Sequence, residues 1–290
     1  MRAIPRPLRA GLGLWLNIAL LWGCSTSAIT AGNEDPTATL LSQGQAQYHQ
    51  GQFDRALATI SQAIVLSPAN AEARNARGFV YHSQGLKEEA KRDFAEAIRL
   101  NPNHALYHSN LGAVYLTSGH YGEALDSFNH ALRVAPPSAL VLNQRGQTYR
   151  HLGQFDEALQ DFNAAAQLNG RDATIYANRG VVYALKQDFE QAKRDLDRAA
   201  TLNRTLPAVY QSRGLVEMLT GEFDRAESDF SQAIAMGVDD HTLYYNRGVA
   251  RSMLGDKLGA IQDYDSSCHA GYVPACKFSR ILSHIDTPRS

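Results

Sequence analysis

An arginine and an aspartate sixteen residues apart are the first residues in this chain that suggest chemistry. Arg77 and Asp93 have the side chains to grip an anion, orient a water molecule or hold each other, because a guanidinium meets a carboxylate through two parallel hydrogen bonds. The same spacing returns as Arg145 with Asp161, Arg179 with Asp195, Arg213 with Asp229 and Arg247 with Asp263. A second candidate is the trio Cys268, His269 and Cys276, whose thiols and imidazole are zinc-ligand types. The ten histidines are otherwise scattered. The sequence contains no phosphate-cradling Walker loop, GxSxG nucleophile elbow, HExxH zinc helix or dinucleotide fingerprint, and its one GxG lies at Gly11 to Gly13. No enzyme activity and no cofactor are therefore expected.

The elements that must position these side chains show up as a period. Cut every 34 residues from Thr37, the chain aligns in seven rows without insertion, starting at 37, 71, 105, 139, 173, 207 and 241. The eighth position is always glycine, from Gly44 to Gly248, and the twentieth always alanine, from Ala56 to Ala260. The twenty-fourth is mostly aromatic, as in Phe94, Phe128, Phe162, Phe230 and Tyr264, and the fifteenth is a turn glycine with Gln187 as the exception. Pro68, Pro102 and Pro136 close the first three rows. Each row thus reads as two helices whose backbones approach closely at glycine and alanine, with an aromatic ring filling the gap. Neither helix could bury its apolar face alone, so the rows must stack.

These residues resemble the tetratricopeptide repeat across 37–274. The resemblance implies an all-α fold, a right-handed superhelical solenoid of seven helix-turn-helix repeats at 37–70, 71–104, 105–138, 139–172, 173–206, 207–240 and 241–274. Residues 275–290 then read as a capping helix and tail, with Phe278, Ile281, Leu282 and Ile285 as its apolar stripe. The recurrent tyrosines Tyr81, Tyr115, Tyr149 and Tyr183 read as core or groove wall rather than a cofactor box.

Within that frame the arginines stand at position seven and the aspartates at position twenty-three, nine residues before and seven after the turn. At about 1.5 Å per residue on antiparallel helices they lie within ~3 Å of the same height. The two rows without the pair lack both members: Gln43 stands with Thr59, and Leu111 with Ser127. The pairs therefore read as struts within rows rather than as reactive sites.

With 28 basic and 29 acidic side chains and a net charge of −1, the chain has no positive footprint for nucleic acid. Its first residues do carry Arg2, Arg6 and Arg9 ahead of an apolar run from Leu12 to Trp22, the charged-then-apolar order of an export signal over 1–23. Leu21, Gly23 and Cys24 resemble a bacterial lipobox, with Trp22 bulkier than the usual residue. The resemblance implies lipidation of Cys24 and, with Ser25 rather than aspartate after it, an outer-membrane anchor facing the periplasm. The alternative is a soluble periplasmic or secreted protein. Residues 24–36 read as a flexible tether of at most about 40 Å.

An exported chain meets an oxidising compartment, where Cys268 and Cys276 are expected to pair. Their context, DYDSSCHAGYVPAC, also resembles the end of a Sel1-like repeat, in which cysteines eight apart join consecutive helices. A metal held by Cys268, His269 and Cys276 is the alternative, short of a fourth ligand.

Positions two, five, six, nine, twelve and thirteen of the first helix line the concave groove in the repeat family. Here they include Asn110, Asn143, Gln144, Gln147, Arg150, His151 and Asn178. Amides donate and accept, which suits an extended peptide backbone. Arg150 alone among these is cationic, so a carboxylate clamp is not expected. Lipobox plus repeats resembles the NlpI-like envelope lipoproteins, and implies a membrane-anchored adaptor whose partners include envelope proteases or peptidoglycan hydrolases. The alternatives are a pilotin-like assembly factor for a secretin or pilus channel and, more remotely, a periplasmic enzyme with an unrecognised site.

Overall fold

The computed structural model describes residues 35–284. The export signal, Cys24, nearly all of the tether and Ile285 lie outside these residues. Among the described residues every regular element is an α-helix, and they fall into two units that meet between Leu168 and Asn169.

The first unit holds four hairpins: α1 (Pro36–His49) with α2 (Phe53–Leu66), α3 (Ala71–Ser83) with α4 (Lys87–Leu100), α5 (Ala105–Thr117) with α6 (Tyr121–Val134), and α7 (Ala139–His151) with α8 (Phe155–Leu168). The second unit holds three: α9 (Ala173–Leu185) with α10 (Phe189–Leu202), α11 (Pro207–Thr220) with α12 (Phe223–Ala235), and α13 (His241–Leu254) with α14 (Lys257–His269). A final helix, α15 (Val273–His284), packs on α14. Within each unit the second helix of one hairpin packs against the first helix of the next, and successive first helices also touch. Seven helix-turn-helix repeats and a capping helix, all-α, are thus borne out.

Close approach dictates the hairpin. A Cβ added to Gly146 would lie 2.8 Å from the Phe162 ring, and one on Gly78 would lie 2.9 Å from that of Phe94. Both rings are fully buried, as are Phe128 and Phe230 at the same position. The alanines of the twentieth position are likewise sealed, because any larger side chain there would push the two helices apart. In the seventh hairpin Ser267 replaces the alanine of position twenty-seven, and its hydroxyl donates to the His241 carbonyl at 2.8 Å, which satisfies it inside the core.

The tight turn between paired helices needs a left-handed residue, and Gly51, Gly85, Gly119, Gly153, Gly221 and Gly255 supply it with φ of 74° to 84°. Gln187 takes the same conformation at φ 65°, where its Cβ is disfavoured. Asn70, Asp172 and Asp240 cap the next first helices by accepting backbone N–H bonds of 2.8–2.9 Å.

The cap departs from its expected roll. Ala275 and Ser279 are buried and Leu282 packs into the cluster of Tyr245 and Tyr264, whereas Ile281 is 56% and Phe278 44% exposed. Two restraints set this roll: the Cys268–Cys276 disulfide and the Ser279 hydroxyl, which donates to Asp265 at 2.6 Å. Together they turn the i, i+4, i+7 line Ala275, Ser279, Leu282 inward. Phe278 keeps only edge contacts, its ring centroid 5.6 Å from that of Tyr264.

Two substitutions of opposite sign test the hairpin geometry. Gly146→Ala is expected to destabilise by about 1–3 kcal/mol through overpacking, and Gln187→Gly to stabilise by up to about 1 kcal/mol by relieving the left-handed turn; denaturant midpoints check both. Breaking the disulfide removes a short cross-link worth about 2–3 kcal/mol. Amide exchange in α15 should therefore rise on adding reductant, while the α9–α10 hairpin stays unchanged.

Candidate binding face and its charged struts

Each arginine of the seventh position meets its aspartate through both arms of the fork. In the first unit Arg77 donates from Nε and Nη2 to Asp93 at 2.7 and 2.9 Å, and Arg145 to Asp161 at 2.7 Å twice. In the second, Arg179 donates to Asp195 at 2.7 Å twice, Arg213 to Asp229 at 2.7 and 2.9 Å, and Arg247 to Asp263 at 2.9 and 2.6 Å. The aspartates are buried and the arginines partly so. These hydrogen bonds raise the pKa of the guanidinium groups against the opposing effect of burial.

A further contact was missed by reading rows one at a time. The remaining arm, Nη1, reaches back to the second helix of the preceding hairpin: Arg77 to Ser61 at 3.1 Å, Arg145 to Asn129 at 2.7 Å, Arg213 to Asp197 at 2.8 Å and Arg247 to Ser231 at 3.0 Å. Each acceptor stands sixteen residues before its arginine, mirroring the aspartate sixteen after. That polar twenty-fifth position was the available signal. The arginines also lie 5.3–5.9 Å from tyrosine ring centroids, Arg77 over Tyr81 and Arg179 over Tyr176 among them.

The amide stripe sits elsewhere than on an open wall. In the first unit Asn110, Asn143, Gln144, Gln147 and Arg150 are all buried, and in the second so is Asn178. Asn110 donates its Nδ2–H to Asn75 Oδ1 at 2.9 Å, joining α5 to α3 inside the stack. Position along a helix cannot tell whether the next hairpin covers that face, and here it does. The accessible part of the stripe in the first unit comprises exposed His49, Ser83 and His151 with half-buried Tyr48, His82 and Thr117. In the second unit it is aliphatic, with Leu185, Met218 and Leu219 half-buried and Met253 exposed.

His151 stacks on Tyr121 with ring centroids 4.7 Å apart, and its Nε2 lies 3.1 Å from Arg150 Nη2. Burial, aided by the neighbouring Arg150 charge, pushes the His151 imidazole down to about 4, so it stays neutral at physiological pH and accepts from the guanidinium. Burial likewise lowers Arg150 to about 10. His82 is also depressed by burial, and its Nε2 stands 3.4 Å from the Thr117 hydroxyl. This face can therefore exchange neutral hydrogen bonds and ring contacts with a partner.

Cys268 and Cys276 are joined, with Cα atoms 5.0 Å apart, so neither thiol is available for the alternative metal site with His269. Among the described residues no group of three or more histidine, cysteine, aspartate or glutamate side chains is placed to hold a metal. No helix among them is long and apolar enough to cross a membrane.

Residues 44–85 and 146–187 match a family model described as TPR repeat, and 70–136, 173–206 and 213–271 match models described as tetratricopeptide repeat. Together these segments take in more than half of the chain, which belongs to the tetratricopeptide repeat family. No curated protein matches the sequence. Among solved structures, the chain is similar to a tetratricopeptide repeat protein from Parabacteroides merdae, at 18% identity and TM-score 0.66, over 86% of this chain and 99% of that one. It is also similar to PilF of Pseudomonas aeruginosa, at 21% identity and TM-score 0.64, over 72% and 96%. A third is YrrB, a TPR protein with an unusual peptide-binding site, at 20% identity and TM-score 0.50, over 63% and 95%. At these identities the likeness is one of fold. Proteins of this repeat class are typically non-enzymatic and act as scaffolds for protein–protein interaction.

A double-mutant cycle on Arg179 and Asp195 tests the strut. Asp195→Ala alone should cost about 3 kcal/mol by orphaning a partly buried guanidinium, with a coupling energy of about 1–3 kcal/mol between the two sites. A coupling of zero in denaturation would refute it.

Proposed function

We propose that this chain is a membrane-anchored adaptor of the bacterial cell envelope, which binds extended segments of protein partners along the first-helix stripe of its hairpins. The observation that carries the reading is the accessible line His49, His82, Thr117 and His151, held on a rigid stack whose amides are already paired within it. Neutral imidazoles and hydroxyls supply donors and acceptors without demanding a charged partner. A peptide-binding site in the similarly folded YrrB agrees with such a use of the repeat. Anchoring rests on the lipobox-like Leu21 to Cys24, and an envelope address rests on the likeness to NlpI-like lipoproteins. Proteases and wall hydrolases are the partner classes that this likeness implies. The Sel1-like ending fits a chain that crosses into an oxidising compartment, where its terminal helix is stapled.

Two measurements test the proposal. Cys24→Ala should abolish incorporation of a labelled palmitate and move the protein from the membrane to the soluble fraction; a wild-type chain that takes up no label refutes the anchor. Crosslinked envelopes should then yield proteases or peptidoglycan hydrolases with the wild type. The double substitution His82→Ala/His151→Ala should lower that yield at least about threefold if these residues contribute as binding hot spots do. Recovery of a secretin ring instead would replace the adaptor reading with that of an assembly factor.

A further inference from the structure

One buried acid in the second unit has no structural use yet. Glu217, on α11, is 4% exposed, and its Oε2 is sealed from solvent without a hydrogen-bond partner. It stands at the eleventh position of its row, where rows two to five carry Tyr81, Tyr115, Tyr149 and Tyr183 and row seven carries Arg251. Arg251 meets Glu227 of the preceding hairpin at 2.9 Å. In the first unit Tyr115 takes the charge of Lys91 over its ring at 5.8 Å. Both lie between hairpins. The corresponding residue behind Glu217 is Lys193, on α10.

Lys193 is already engaged. Its Nζ donates to both oxygens of Glu222, at 2.7 and 2.6 Å, which ties α10 to the turn between α11 and α12. The other cation near Glu217, Arg213, is committed to Asp229 and Asp197. The charged groups acting on Glu217 are thus Arg213 from its own helix, Asp229 from α12, Glu222 from the turn and Lys193 from α10. Two are acids and two are bases whose hydrogen bonds go to other acids. An ionised carboxylate in this place is desolvated without compensation, whereas a neutral one needs no counterion.

We propose that Glu217 is a proton-operated latch between the fifth and sixth hairpins. Protonated, it leaves Lys193 to Glu222 and the joint closed; ionised, it competes with Glu222 for Lys193 and loosens the packing of α10 on α11 and α12. Burial, with Asp229 adding to it, pushes this carboxyl up to about 7, which places the transition near neutrality. Its pKa in the fold lies above its ordinary value, so the folded chain holds the proton more tightly than the unfolded one. The stabilisation is complete below about 4.5, the ordinary value, and is lost as pH rises through about 7. The latch works regardless of what binds the first-helix stripe.

The test uses the whole chain. With glutamate carboxyls labelled with carbon-13, the resonance absent from Glu217→Gln should titrate with a midpoint near 7; a midpoint in the ordinary carboxylate range overturns the proposal. Amide exchange across residues 189–235, compared with Glu217→Gln at matched pH, should be equal at pH ~5.5 and at least about threefold faster in the wild type at pH ~8.5, the sign set by linkage. An unchanged ratio at both pH values overturns it as well. Glu217→Tyr, which installs the residue of the four preceding rows, provides the same comparison should a buried amide impair folding.

Discussion

Two helices of a hairpin lie so close at the eighth position that nothing larger than hydrogen fits there. Gly146 against Phe162 and Gly214 against Phe230 show the constraint in each unit, with the ring occupying the space a side chain would take. The rest of the architecture depends on that distance. It brings the seventh and twenty-third positions within hydrogen-bond reach, lets alanine suffice at the twentieth, and fixes the length of turn that a left-handed residue must close. Widening the hairpin by one methyl group would strain the arginine forks along with the core, because both are set by the same separation.

The charged network follows from this packing and differs in kind from the surface pairs. Arg99 with Glu96 and Arg92 with Glu89 are exposed, one turn apart, and contribute little. The buried aspartates of the struts are held by two donors each, and Asp263 receives a third from Arg251 at 2.9 Å. Such carboxylates stay in the interior only while every partner is present, so losing one arginine costs more than the pair contributes. Glu217 is the exception that makes the rule visible: a carboxyl in the same interior whose potential partners are taken.

Much of this was legible in the sequence because a period of 34 ties each residue to six others in equivalent surroundings. The hairpins, their turn glycines and the arginine–aspartate pairs all follow from relations inside a row. What stayed hidden lies between rows or beyond them. The Nη1 bonds to Ser61, Asn129, Asp197 and Ser231 cross from one hairpin to the one before. Asn110 and Gln144 have the right helical face for a groove wall, but whether the neighbouring hairpin closes over them depends on distances no row records. The cap rolled away from its apolar stripe because a covalent bond and the Ser279–Asp265 hydrogen bond outweighed the burial of Ile281.

The backward-reaching arm of the arginine has a consequence for how such a chain can grow. Its acceptors are a hydroxyl, an amide and a carboxylate, which share only a lone pair pointing the right way. A duplicated segment of 34 residues therefore arrives with an arginine ready to engage almost any polar residue presented by its new neighbour. The tolerance of this one bond lets copies be added, removed or shuffled by recombination without redesigning the junction, and leaves the surface of each copy free to diverge.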